Sequence, residues 1–146
     1  MSTELNQFKE QYGYGYCSEE HLAAIAAVPK RLETKGTEIV ERHADDLDFE
    51  GNCFATVKVM MFDGDEDWVA CHGQVYHEDT GWHAHGWVEC QGWAMDMSNG
   101  HRMVLPADYY RSLGQCRNVA EYPRERALAE ILRTGMDFPW EDDDDS

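Results

Sequence analysis

The sequence predicts a single α+β domain, and three observations carry that expectation. Between Trp68 and Leu105 the apolar residues recur with a period of two, broken at intervals by Gly, Asn, Asp and Ser. On either side, segments with helical spacing take over. The 146 residues and 42% hydrophobic content supply one core of ordinary size. The expected architecture is therefore an antiparallel sheet of about four strands, with N-terminal helices and a C-terminal helix.

The first segment, through QYGYGYC, has no helical periodicity and reads as an edge strand or an arm lying on the domain. Ser18 then caps a short helix with Leu22, Ile25, Ala26 and Val28 on its apolar face, stopped at Pro29. A second helix runs from about Arg31 to His43, with Leu32, Ile39 and Val40 inward and a weak point at Gly36. The acidic connector from Asp45 to Gly51 delivers the chain to Asn52 and Cys53. Phe54 to Phe62 fits either a buried helix or a strand; its β-branched residues favour strand and its Ala and Met favour helix. The chemistry below favours helix.

Asp63 to Asp67 reads as a solvated turn, because it lacks the full spacing of a calcium loop. Strands follow at Trp68–His77, Trp82–Cys90, Trp93–Met97 and His101–Leu105. Turns at Glu78–Gly81, Gln91–Gly92 and Ser98–Gly100 join them into a meander. Pro106 to Gly114 reads as a helical turn ending on a glycine cap. The last helix begins at Pro123, with Ala127, Leu128, Ile131 and Leu132 forming its apolar face and Gly135 ending it. Met136–Trp140 is expected to lie back on a domain spanning residues 1–140, with 141–146 a disordered acidic tail.

Charge and cysteine usage exclude several function classes. With 29 acids against 12 bases, the formal charge of -17 argues against contact with a nucleic-acid backbone. It suits a soluble protein, or one that offers an acidic face to a basic protein partner. No signal peptide is read at the N-terminus, and no apolar run approaches the ~18 residues of a membrane span. Five cysteines, an odd number, point to free thiols in a reducing, cytoplasmic setting.

The chemistry concentrates in Gly81–Gly100, where three Trp and two His sit on neighbouring strands beside an acid. On one strand, His83, His85 and Trp87 share a face. Asp96 on the next strand is placed to accept a hydrogen bond from His85 and fix its tautomer. Upstream, Cys53 follows a Gly-Asn pair at the start of the ambiguous segment. If that segment is helical, the helix N-terminus and the imidazolium both lower the thiol's ordinary value of ~8.5. Local amides, or Asn52, then hold a developing oxyanion.

Asn52-Cys53-Phe54, then His85-Gly86-Trp87-Val88-Glu89, then Trp93-Ala94-Met95-Asp96, resembles the transglutaminase-like branch of the papain-like cysteine enzymes. Leu105 to Tyr110 is similar to small bacterial and phage members of that group. The resemblance covers about Gly51 to Gly114. It implies a papain/transglutaminase-like core with Cys53 as nucleophile, His85 as base and Asp96 as orienter. It also implies a peptide or protein substrate whose peptide or isopeptide amide is hydrolysed or transferred. Asn52, Trp87 and His83 are the expected oxyanion and substrate-binding residues. No cofactor and no metal is expected.

Two other classes compete. Cys71, His72, His77, His83, His85 and Cys90 offer zinc-type ligands within a short span, although their spacings match no closed zinc pattern. A non-enzymatic polyanion mimic, of the kind some phage inhibitors represent, needs its acids ordered in a stripe. The remaining sites have plain readings: His21 and His43 as helix-surface residues, His101 as a strand-end residue, Cys17 and Cys116 as core or surface thiols.

Overall fold

A computed structural model describes residues 28–134. The expected N-terminal arm, the helix capped by Ser18, the segment Met136–Trp140 and the acidic tail lie outside the described residues.

In chain order the elements are α1 (Lys30–Arg42), α2 (Cys53–Asp63), β1 (Val69–His77), β2 (Gly81–Cys90) and β3 (Trp93–Asp96). A 3-10 turn (Ser98–Gly100) leads to β4 (Met103–Pro106), α3 (Ala107–Leu113), β5 (Arg117–Pro123) and α4 (Arg124–Thr134). The class is α+β, as the alternation of periods predicts. The sheet has five strands rather than about four, in the order β4-β3-β2-β1-β5. Every neighbouring pair is antiparallel.

The additional strand, β5, pairs with the outer edge of β1 across a bulge between His72 and Gln74. Only Tyr122 is buried along it, so no apolar alternation marks it in the sequence. Pro123 ends this strand instead of opening the last helix; an edge strand tolerates proline there because no neighbour needs its N–H.

α2 settles the ambiguous segment as helix. It is buried on nearly every side, from Cys53 to Met61. Such a helix has no polar face and therefore no helical period for a sequence reading to find. It lies between the sheet and the helices α1 and α4. Two glycines in the surrounding elements are closely approached. A Cβ at Gly36 of α1 would come within 2.7 Å of Met97 Cε. A Cβ at Gly86 of β2 would come within 3.0 Å of the Phe54 ring and 3.3 Å of Val57. Gly86 therefore lets α2 settle closely on the sheet, and Gly36 leaves room beside α1 for the Met97 side chain.

The sheet separates two cores. On one face, Trp68, Met60, Met61, Val88 and Met95 pack with α1 and the inner face of α4. On the other, Cys71, Trp87, Met103, Leu105 and Tyr110 pack beneath α3. In α4 Ala127 is buried, but Leu132 is 85% exposed, contrary to the apolar face expected for it. α4 buries a narrower stripe than its sequence offers.

The Gln91-Gly92 turn takes positive φ at both residues, 51° and 86°. That geometry belongs to a tight two-residue hairpin and locks the β2–β3 register at Cys90 opposite Trp93. A one-residue slip would turn Asp96 to the other face of the sheet.

Gly86→Ala is expected to lower stability by about 1 kcal/mol, because the new methyl must displace Phe54 within a packed core. Thermal denaturation checks it; an unchanged or higher Tm would mean that α2 does not rest on β2 as closely as described.

Candidate active site

β3 covers β2 only from Val88 to Cys90, so at His85 that edge of β2 has no paired strand. Asp96, the last residue of β3, reaches back along this open edge. His85 Nε2 and Asp96 Oδ2 lie 2.8 Å apart, with the two side chains 15% and 6% exposed. The carboxylate is held from several directions. Tyr110 Oη donates to Oδ2 at 2.5 Å, and the Ser98 hydroxyl and backbone N–H donate to Oδ1 at 2.8 and 3.3 Å. Asp96 is thus a buried acceptor whose oxygens are both engaged.

Cys53 is the first residue of α2 and is 7% exposed. Its thiol interacts with the His85 ring. Nε2 belongs to Asp96, so Nδ1 is the ring nitrogen left to face the sulfur. The helical ladder begins with Thr56 N–H on Asn52 C=O at 2.8 Å. The Cys53 amide therefore lies ahead of that ladder, at the positive end of the helix.

Burial alone would push the His85 imidazole down, but the Asp96 carboxylate and the Cys53 sulfur outweigh it and hold it up at about 10. Burial would likewise raise Asp96; the His85 charge and the donors Tyr110 and Ser98 hold it well below the usual carboxylate range. The other described cysteines have no imidazole partner of this kind. Burial pushes Cys71 up strongly, and Cys90 and Cys116 each to about 11. His72, edge-on to Phe54 on the opposite sheet face, is driven down by burial to about 4.

The three expected binding residues fare differently. The Asn52 amide group donates to Leu47 O at 2.6 Å, while its oxygen accepts from the Asn99 N–H at 2.9 Å. Asn52 thereby fastens the entry to α2 to the 3-10 turn, with one amide N–H and its oxygen both engaged. Trp87 is 1% exposed and lies under His85, its ring stacked at 6.1 Å and 24°. It supports the imidazole from below rather than meeting solvent. His83 is exposed and 6.5 Å from the His85 ring. It lines a cleft of about 650 Å³ that also takes in His85, Asp96, Ser98, His101 and Leu113.

Sequence reasoning missed Tyr110 and Ser98 as partners of Asp96. Ser98 carries a weak signal, a hydroxyl two residues past the acid and able to bond back to it locally. Tyr110 carries none, since only the packing of α3 brings it there. Among the described residues, no three or more His, Cys, Asp or Glu side chains converge as a metal site. Strand alternation turns Cys71 and His72 to opposite sheet faces, which disperses the zinc-type set. No described helix is long and apolar enough to cross a membrane. Comparison of the chain with protein-family models, curated proteins and solved structures finds no match.

The His85–Asp96 pair predicts a defined pH dependence of stability. His85 is raised from 6.5 to about 10, so its contribution is complete below 6.5 and is lost as pH rises toward 10. Asp96 is lowered from 3.8, so its contribution is complete above 3.8 and is lost as pH falls below it. His85→Gln should therefore cost most between those two ordinary values, about 3 kcal/mol, with the gap closing as pH approaches 10. Urea unfolding of both proteins at several pH values checks it; a gap independent of pH contradicts the ion pair.

Proposed function

We propose that this chain is a cysteine-dependent acyl-transfer enzyme of the transglutaminase-like kind, hydrolysing or transferring a peptide or isopeptide amide. The observation that carries the reading is one imidazole held between a buried carboxylate and a cysteine at a helix N-terminus. An imidazolium beside a thiol at a helix N-terminus is the setting that favours a thiolate, the form that attacks.

Cys53 Sγ adds to the amide carbonyl, and the carbonyl electrons move onto oxygen. Backbone N–H groups at the start of α2, the Cys53 amide among them, stabilise that oxyanion, because the Asn52 side chain is engaged elsewhere. The His85 imidazolium passes its proton to the leaving nitrogen, the C–N bond breaks, and a thioester on Cys53 remains. Asp96 keeps the ring oriented throughout and stays ionised. Water or an incoming amine, deprotonated by His85, then attacks the thioester and returns the thiol. The cleft beside His83 and His85 is where a peptide or protein substrate would lie. A reducing, cytoplasmic setting suits a reaction that needs the thiol free.

Alkylation by iodoacetamide, followed at each cysteine by mass spectrometry across pH, tests the reading. Cys53 should react at pH 6 at least about tenfold faster than Cys116, and His85→Ala should remove most of that advantage. If Cys53 gains reactivity only near the ordinary thiol value of ~8.5, with or without His85, it is not the nucleophile.

A further inference from the structure

We propose that Glu89 and Arg111 are positioning residues, a single ion pair that locks α3 onto β2 and so sets both members of the His85–Asp96 pair. The inference rests on the acyl-transfer reading for its functional meaning, although the mechanical link is a property of the fold.

Arg111 grips Glu89 with two parallel bonds, Nε to Oε2 at 2.8 Å and Nη2 to Oε1 at 3.0 Å. A planar fork on a carboxylate fixes rotation as well as distance. Each residue stands next to one that touches the site. Tyr110, one residue before Arg111 on α3, donates its hydroxyl to Asp96. The Trp87 indole N–H donates at 2.8 Å to the same Glu89 oxygen that Arg111 Nε bonds. The Trp87 ring stacks beneath His85 and meets Tyr110 with centroids 5.3 Å apart. The contacts close a circuit, from His85 to Asp96, Tyr110 and Arg111, then through Glu89 and Trp87 back to His85.

α3 needs such a fastening. Seven residues are too few to hold a helix in place through their own hydrogen bonds. Backbone bonds pin its two ends, Ala107 N–H to Gly92 O at 2.8 Å and Tyr76 N–H to Gly114 O at 2.9 Å. The fork sets the rotation between them, and that rotation aims Tyr110. Glu89 is 15% exposed at its side chain and Arg111 31%, so their pair is screened less than a surface pair. Of the other contacts of Arg111, the one to the 57% exposed Glu121 contributes little by comparison, and the one to Cys71 Sγ is long at 3.8 Å. The ionisable groups near His85 are Cys53 from α2, Asp96 from β3, His83 on its own strand, and His77, Glu78, Asp79 and His101 across the cleft, with Tyr110 from α3 acting through Asp96.

Two readouts on the full chain test the inference: the His85 imidazole titration, followed by NMR of histidine-labelled protein, and the pH profile of Cys53 alkylation. The proteins are wild type, Glu89→Gln, Arg111→Lys, Glu121→Gln and Leu32→Ala. Leu32→Ala loses core packing on the other sheet face and controls for lower stability alone. Glu89→Gln should bring the His85 midpoint down by at least about one pH unit and slow Cys53 alkylation at pH 6 about tenfold. Arg111→Lys, which keeps the charge but loses the fork, should fall between Glu89→Gln and wild type, and it carries the test if Glu89→Gln does not fold. Glu121→Gln and Leu32→Ala should leave both readouts in place.

An unchanged His85 midpoint in both clamp variants overturns the inference, as does an equal shift in Leu32→Ala. If wild-type Cys53 is reactive at pH 6 while the clamp variants match it, the clamp falls and the enzyme reading stands. If the clamp variants lower the His85 midpoint while wild-type Cys53 behaves as an ordinary thiol, the clamp stands and the enzyme reading falls.

Discussion

The bond between His85 and Asp96 is the constraint on which the rest of the structure depends. Placing a carboxylate where almost no water reaches it is costly unless its lone pairs are filled and a positive charge stands beside it. Asp96 meets both conditions only because four parts of the chain converge on it. The Gln91-Gly92 hairpin sets the register that turns Asp96 to the correct face. The short β3 leaves the edge of β2 open at His85, the turn after β3 supplies Ser98, and α3 supplies Tyr110. Loss of any one leaves a charge inside the protein with incomplete compensation.

The same constraint explains the placement of α2. An apolar helix buried against the sheet has little freedom to slide, and Gly86 lets it settle on β2 directly below the Phe54 ring. That seating carries the helix N-terminus, and Cys53 with it, to the imidazole. Asn52 completes the arrangement by tying the entry of α2 to Leu47 on one side and to the turn at Asn99 on the other. Cysteine, histidine and aspartate thus come from a helix start and two strand positions, each fixed by packing rather than by a flexible loop. Such pre-organisation is what the proposed acyl transfer would require, because a nucleophile and base that must first find each other forfeit much of the rate.

Much of this was legible in the sequence, and the exceptions share a physical cause. The α+β class, α1, the four strands of the meander and the adjacency of His85 and Asp96 follow from local periodicity and turn chemistry, which the structure keeps. β5 leaves no mark in the sequence because an edge strand with one buried side chain has no alternation to read. Leu132 was placed inward by its spacing, although α4 covers only a narrow strip of the core. The surroundings of Asn52 and Trp87 are hidden from the sequence for a related reason. Residue type and position suggest contact with a substrate; only tertiary packing shows that the amide bonds Leu47 and that the indole lies under the imidazole. Tyr110 sits 14 residues from Asp96, and no local pattern links an aromatic on α3 to an acid on β3.

The central claim is that Cys53 is an acyl-accepting nucleophile driven by His85. Brief exposure to an activated ester such as 4-nitrophenyl acetate at pH 6, followed by acid quench and peptide mass mapping, tests it directly. The account predicts one acetyl group on Cys53, labile to hydroxylamine as a thioester is, and absent from His85→Ala. Acetyl groups scattered over lysines and the other cysteines, or acetylation of Cys53 that persists without His85, would contradict it.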